Sequence, residues 1–337
     1  MATFTPLLMD EARALFVTYD LGTPIAIVPI PAGSVNSNYR VVASHGCDSR
    51  AFFVRLFEEQ GPEGARYDAA LLRHLARAGV PAPCPVAGRD GEFIGSAAGR
   101  PAAIFPFVVG VHSCQRAVDE ARARALGAAL GAVHVAAADF SERRQGRFGF
   151  EELRRRLPAI ARARDPEIAK MAPLLEERID HWLARRTPST PGGVIHGDLF
   201  RDNVLFATAE GEGHDRIVAL LDFESASDGS LLYDLAVCLL AWCTGDRIEP
   251  ALTRAMMDGY RGVRPFAAGE LDGLRAELAL AALRFTVTRI TDYALREGAV
   301  GERVIKDWRR FLARLRSVET MDLALMAGDA AAGTQNR

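Results

Sequence analysis

β-Type segments crowd one end of this chain, and that order constrains its fold more than any other feature. Runs at 24–30, 38–43, 51–57, about 92–96 and 102–108 read as strands, with an amphipathic helix at 63–78 closed by Gly79, Pro81 and Pro83. A further helix fits 9–19. After Ala117 the period is helical, at 117–138, 150–163, 166–185, 230–243, 248–261, 268–297 and 301–326, broken once by a β-rich stretch at 194–221. The expectation is an α+β fold: a small antiparallel-sheet lobe over 1–108, a large mainly helical lobe over 109–326, and a frayed tail over 327–337.

Charge narrows the partners. The 337 residues carry 41 basic and 43 acidic side chains, so no overall basic field is available for nucleic acid or an anionic membrane surface. A small-molecule partner is expected. The five cysteines (Cys47, Cys84, Cys114, Cys238, Cys243) have no C-x-x-C spacing and read as reduced packing residues. The opening residues lack a basic stretch followed by an apolar core, and no apolar run reaches the length of a membrane span. These features predict a cytoplasmic protein without membrane or nucleic-acid partner; they leave its oligomeric state open.

The chemistry concentrates in VIHGDLFRDNVLF, Val194 to Phe206, followed by IVALLDF, Ile217 to Phe223. Two β-type runs, one interrupted by a polar loop and one ending in Asp-Phe, place His196, Asp198, Asn203 and Asp222 at neighbouring strand ends. An oxygen-rich set with few protein ligands suits Mg²⁺, which keeps water and phosphate in its shell. That points to a nucleotide.

HGDLFRDN followed by Asp-Phe resembles the catalytic loop and metal-binding segment of the kinase-like phosphotransferases. GSVNSNYRV at 33–41, FVRLFEE at 53–59, GVPAPCPV at 79–86, GRPAAIFPF at 99–107 and SLLYDLAVCLLAWC at 230–243 are similar to the homoserine kinase branch of the aminoglycoside phosphotransferase and choline kinase-like superfamily. The resemblance covers most of the chain. It implies a bilobal protein-kinase-like fold and an ATP- and Mg²⁺-dependent kinase of a small alcohol, with L-homoserine as acceptor and threonine biosynthesis as the setting. Choline, ethanolamine or an aminoglycoside is the alternative acceptor, and a catalytically inactive nucleotide-binding protein the further one.

By that resemblance Asp198 is the catalytic base, which holds the acceptor hydroxyl in line with the γ-phosphate, and Asn203 and Asp222 are the metal ligands. His196 reads as a brace for the loop through backbone carbonyls. Asp234, in YDLA, either pairs with the catalytic loop or simply caps its helix. Kinases place a lysine on the third strand against the phosphates, but the only lysines here are Lys170 and Lys306, so Arg55 takes that position. Its helix partner falls at Asp68, a shorter side chain than the usual Glu. Ser34, Ser37 and Asn38 either cover the phosphates or belong to a plain hairpin turn.

Rival classes fit less well. The remaining histidines (His45, His74, His112, His134, His181, His214) show no metal-ligand spacing, against a metallophosphatase, and there is no G-x-x-x-x-G-K-[ST]. A protein kinase needs a long activation segment, whereas DFESASDG runs directly into the YDLAVCLLAWC helix. For an amino-acid acceptor, a cation must meet the carboxylate and an acid the ammonium. Arg201, Arg284 or Arg289 with Glu224 or Asp292 could supply them, and each also reads as an ordinary solvated helix charge.

Overall fold

The structure is a computed structural model that describes residues 5–31, 35–187, 190–208, 213–245, 247–295 and 306–321. It divides into two compact units: Met1–Gly110 with Val218–Glu224, and Val111–Ile217 with Ser225–Arg337.

In the first unit α1 (Met9–Tyr19) precedes β1 (Thr23–Ile30), β2 (Ser37–His45) and β3 (Asp48–Leu56), then come α2 (Pro62–Arg77), β4 (Gly95–Ala97) and β5 (Arg100–Pro106). The strands form one antiparallel sheet in the order β1-β2-β3-β5-β4. Period-two alternation sends Tyr39, Val41 and Ala43 of β2 and Phe52, Val54 and Leu56 of β3 to one face, where Leu15 and Phe16 of α1 cover them. Phe16 meets Phe52 edge-to-face at 5.5 Å. Arg55 therefore points to the other face, directly across the ladder from Asn38 on β2 and Ala103 on β5. The segment Val218–Glu224 joins this unit through Leu220, whose amide donates to the Pro81 carbonyl at 2.7 Å.

The second unit contains α3 (Glu120–Ala136), α4 (Phe150–Ala161), α5 (Pro166–Ala169), α6 (Met171–Leu183), β6 (Gly192–Ile195), β7 (Val204–Phe206), the first residue of β8 (Ile217–Leu220), whose other three belong to the first unit, β9 (Ser227–Ser230), α7 (Leu231–Trp242), α8 (Pro250–Val263), α9 (Leu274–Arg289) and α10 (Arg309–Thr320). All twelve residues of α7 are buried, so it is the axis of the unit. Helices α3 and α8 touch backbone to backbone: a Cβ on Gly127 would lie 2.0 Å from the Met256 carbonyl oxygen, and one on Gly259 2.0 Å from that of Arg124. Among the described residues no helix is long and apolar enough to cross a membrane.

Several boundaries differ from the sequence reading for identifiable reasons. The helix expected at 117–138 starts at Glu120, because the Asp119 carboxylate caps the Arg122 amide at 2.9 Å. The 166–185 helix is two, since Pro173 in the first turn of α6 has no N–H to carry the ladder back into α5. The 268–297 helix is a 3₁₀ turn, α9 and a π-helical turn at Ile290–Ala294. Strand β9 has the polar sequence SDGS and forms through its ladder with β6 rather than through propensity. Of the helix expected at 301–326, residues 301–305 and 322–326 lie outside the described residues, as does the tail at 327–337.

Candidate functional site

In the first unit, Arg55 sits at the centre of a group of carboxylates. Its Nη1 is 3.3 Å from Asp222 Oδ1 and 2.9 Å from Glu224 Oε1, while its Nε donates to Asn38 Oδ1 at 3.2 Å. The Arg55 side chain is only 15% exposed. Burial works to discharge the guanidinium, but the negative charges of Glu224, Asp222 and Asp68 outweigh it and its pKa is raised. Glu224 moves the opposite way from a simple ion pair: burial, with the Asp222 charge beside it, pushes its carboxyl up to about 8 although Arg55 pulls it down. Two adjacent carboxylates share one cation, and a further positive charge there would favour release of the Glu224 proton. Asp222 adopts φ 64°, a left-handed conformation uncommon for a residue with a side chain and concentrated at functional positions.

The strand-end loop ahead of Arg55 is fixed by its own side chains. Asn36 donates to Glu224 Oε1, and its Oδ1 accepts the Glu58 amide at 3.0 Å. Ser37 donates its hydroxyl to Glu58 Oε1 at 2.6 Å, so Ser37 is turned toward Glu58, which also accepts from Thr5 Oγ1 at 2.9 Å. Asp68 is buried on the inner face of α2. Ser34 lies outside the described residues.

In the second unit the HGD loop is held from beneath by one carboxylate. Asp234, in the first turn of α7 and wholly buried, accepts the His196 amide at Oδ2 (2.6 Å) and the Gly197 amide at Oδ1 (2.7 Å). His134 of α3 donates Nε2–H to Asp234 Oδ2 at 3.1 Å, and its Nδ1 meets the Tyr260 hydroxyl of α8 at 2.7 Å. Burial disfavours the Asp234 charge, yet the hydrogen bond and charge of His134, with His196 and the Gly197 amide, hold its pKa below the ordinary 3.8. Gly197 has φ 76°, where any side chain would be strained. The turn lets the chain deliver two successive amides to one carboxylate.

Asp198 follows. Its amide donates to His196 Nδ1 at 3.3 Å, and its carbonyl accepts from the Phe200 amide at 2.8 Å and from Asn203 Nδ2 at 2.8 Å. Its backbone is pinned while its carboxylate stays 34% exposed. The loop's far wall is tied to α7, where Trp242 Nε1 donates to the Leu199 carbonyl at 2.9 Å.

The five candidate acceptor residues scatter. Arg201 donates to the Ala241 carbonyl, Arg289 to that of Asp307 at 3.1 Å, and Asp292 is paired with Arg156 at 2.7 Å. Glu224 belongs to the Arg55 group. Arg284 is the member that reaches the loop of its own unit, donating to the Gly197 carbonyl with Nη2 3.8 Å from Asp198 Oδ1. The sequence reading missed Asn36 and Glu58, for which the only signal was their place in the quoted loop and strand motifs. It also missed Lys306, whose pKa is raised because Tyr293, Asp202 and Asp198 outweigh its burial. Among the described residues no group of three His, Cys, Asp or Glu gathers as a metal cluster.

A family model described as "Phosphotransferase enzyme family" matches residues 26–270. Homoserine kinase from Paramagnetospirillum magneticum is 35% identical over 297 residues, 87% of this chain and 89% of the relative, and that of Brucella anthropi is 36% identical over 297 residues, 87% of both chains. Among solved structures, an amicoumacin kinase in complex with AMP-PNP and Ca²⁺ superposes with a TM-score of 0.70 at 15% identity, covering 91% of this chain and 92% of its own. An aminoglycoside phosphotransferase from Alicyclobacillus acidocaldarius does so at 0.63 and 16% identity, covering 96% and 95%. At such identities these two establish the kinase-like α+β fold.

Proposed function

The chain belongs to the phosphotransferase enzyme family, and from that premise we propose that it is an ATP-dependent homoserine kinase that makes O-phosphohomoserine, the step that commits homoserine to threonine. The observation that carries this reading is the agreement with curated homoserine kinases along 87% of the chain. The pinned backbone and exposed carboxylate of Asp198 support it, because phosphoryl transfer asks chiefly for a positioned acceptor.

Asp198 accepts the proton of the acceptor hydroxyl as that oxygen bonds to the γ-phosphorus; the bond from phosphorus to the bridging oxygen breaks and ADP leaves. Arg55 faces the phosphates from the sheet with Asn38 at its side, and Asp68 adds to the field that keeps it charged. Ser37, at the start of β2, and Ser34 are the remaining phosphate-side candidates. Asn203 and Asp222 would hold Mg²⁺, which would supply charge neutralisation at the phosphates. Their donor set fits: oxygen ligands only, few in number, with the Asp222 carboxylate as the charged member. His196 and Asp234 support the loop.

Coupled ADP release with purified protein against homoserine, choline, ethanolamine and kanamycin tests the reading. Turnover of homoserine above the others is expected. Robust turnover of another alcohol without homoserine keeps the family and removes the acceptor; omitting Mg²⁺ should abolish turnover.

A further inference from the structure

The second unit holds a cavity of about 180 Å³ against the HGD loop. Gly197 forms part of its wall, beside residues 146–150, strand β9, Tyr233 and Arg284. Drug-sized pockets run to about 300–1,000 Å³, so this one suits only a small molecule. Its charge is one-sided. Arg147 and Arg284 stand on its wall with Arg186, against the single carboxylate of Asp228. Asp228 is paired with Arg143 at 3.3 Å and Arg186 with Glu277 at 3.0 Å, so those charges are matched from outside the cavity.

Arg284 is different. It is 4% exposed and lies between the rings of Phe148 and Phe285, 4.4 and 4.5 Å from their centroids. Its Nη1 is used by a neutral carbonyl, its Nε has no hydrogen-bond partner among the described residues, and the carboxylate in ion-pair range, Asp198, is 3.8 Å away. A buried cation with so little counter-charge is costly unless something else supplies an anion. Arg147 flanks Phe148 on the same wall, 5.2 Å from its ring centroid.

We propose that this cavity receives the carboxylate end of the acceptor, with Arg284 and Arg147 as its specificity-determining residues. The inference rests on the reading of the chain as an amino-acid kinase and deepens it. A carboxylate held at Arg284 lies one residue from the base, so a short chain bearing a terminal hydroxyl can present it to Asp198. An alcohol without the carboxylate leaves Arg284 unmatched and is rejected.

The test compares homoserine with 3-amino-1-propanol, the same molecule without its carboxylate, by kcat/KM. The wild type is expected to prefer homoserine by on the order of 100-fold or more. Arg284→Met and Arg147→Ser each narrow that ratio, mainly through the KM for homoserine, and Arg284→Lys restores part of it. If both variants slow the two substrates equally and leave the ratio intact, Arg284 only positions the loop and the proposal is overturned. Should Arg284→Met not fold, Arg147→Ser on its exposed loop and a wild-type crystal soaked with homoserine decide the matter: a carboxylate bound outside the cavity overturns it. A wild type that phosphorylates another alcohol but never homoserine fails at the earlier step, and removes the amino-acid reading together with this pocket.

Discussion

The two polar groups that carry the chemistry are built on opposite principles. Around Arg55 the contacts run between side chains, and the carboxylates of Asp222, Glu224 and Asp68 outnumber the cation they surround. Around Asp234 the contacts run from a carboxylate to backbone amides, and each of its oxygens is matched. In the first arrangement the Glu224 carboxyl is pushed up to about 8, so its charge responds to whatever cation arrives. The second is complete and serves to fix a loop. Substitutions in the former should therefore register in affinity, and those in the latter in folding, with Asp198, pinned yet exposed, registering in turnover alone.

The largest effect expected is at Asp198. Asp198→Ala should lower kcat by about 1,000-fold or more while the thermal midpoint and ATP affinity hold, as steady-state kinetics and a melt will read. A variant that keeps near-normal turnover breaks the assignment of the base. Next is Asp234→Ala, which strands two amides and a buried histidine and should cost about 3–5 kcal/mol in denaturant unfolding. Loss of activity without loss of stability would erase the contrast between the two groups.

Acid unfolding sharpens the same point. The Asp234 pKa is lower in the folded chain than the 3.8 of the unfolded one, so the stability it contributes is present above that value and is lost as pH falls through the folded pKa. Asp234→Asn should flatten that part of the stability profile below about pH 4. Smaller still, Arg55→Ala should raise the apparent KM for ATP by about 10–100-fold with a modest change in kcat. The exposed Arg13–Asp10 pair on α1 gives the baseline: Arg13→Ala should leave the thermal midpoint unchanged.

Local patterns were legible where the sequence has a period. The alternation at 38–43 and 51–57 found both central strands, and the apolar repeat at 63–78 found α2 to within a residue at each end. What period cannot encode is pairing at long range. Nothing in ALGAVHVA announces that His134 bonds to a carboxylate 100 residues later, and SDGS at β9 becomes a strand only because β6 offers it a ladder. At the candidate site the HGD and Asp-Phe motifs named residue types, whereas the partners of Arg55 were hidden: the sequence pointed to Asp68, and the ion pairs observed are with Asp222 and Glu224. Arginine counts were visible, but not which arginine would be left buried between two phenyl rings.

The contact of α3 with α8 through Gly127 and Gly259 has a consequence for anyone redesigning this chain. Helix propensity alone recommends alanine at both positions, by about 1 kcal/mol each. The two methyls would wedge the helices apart, and those helices carry the imidazole of His134 and the phenol of Tyr260 that prop the loop's anchor. Missing carbon atoms thus meter the distance across which the scaffold grips its own chemistry, and a thermostabilising campaign that fills them would slacken the grip it meant to tighten.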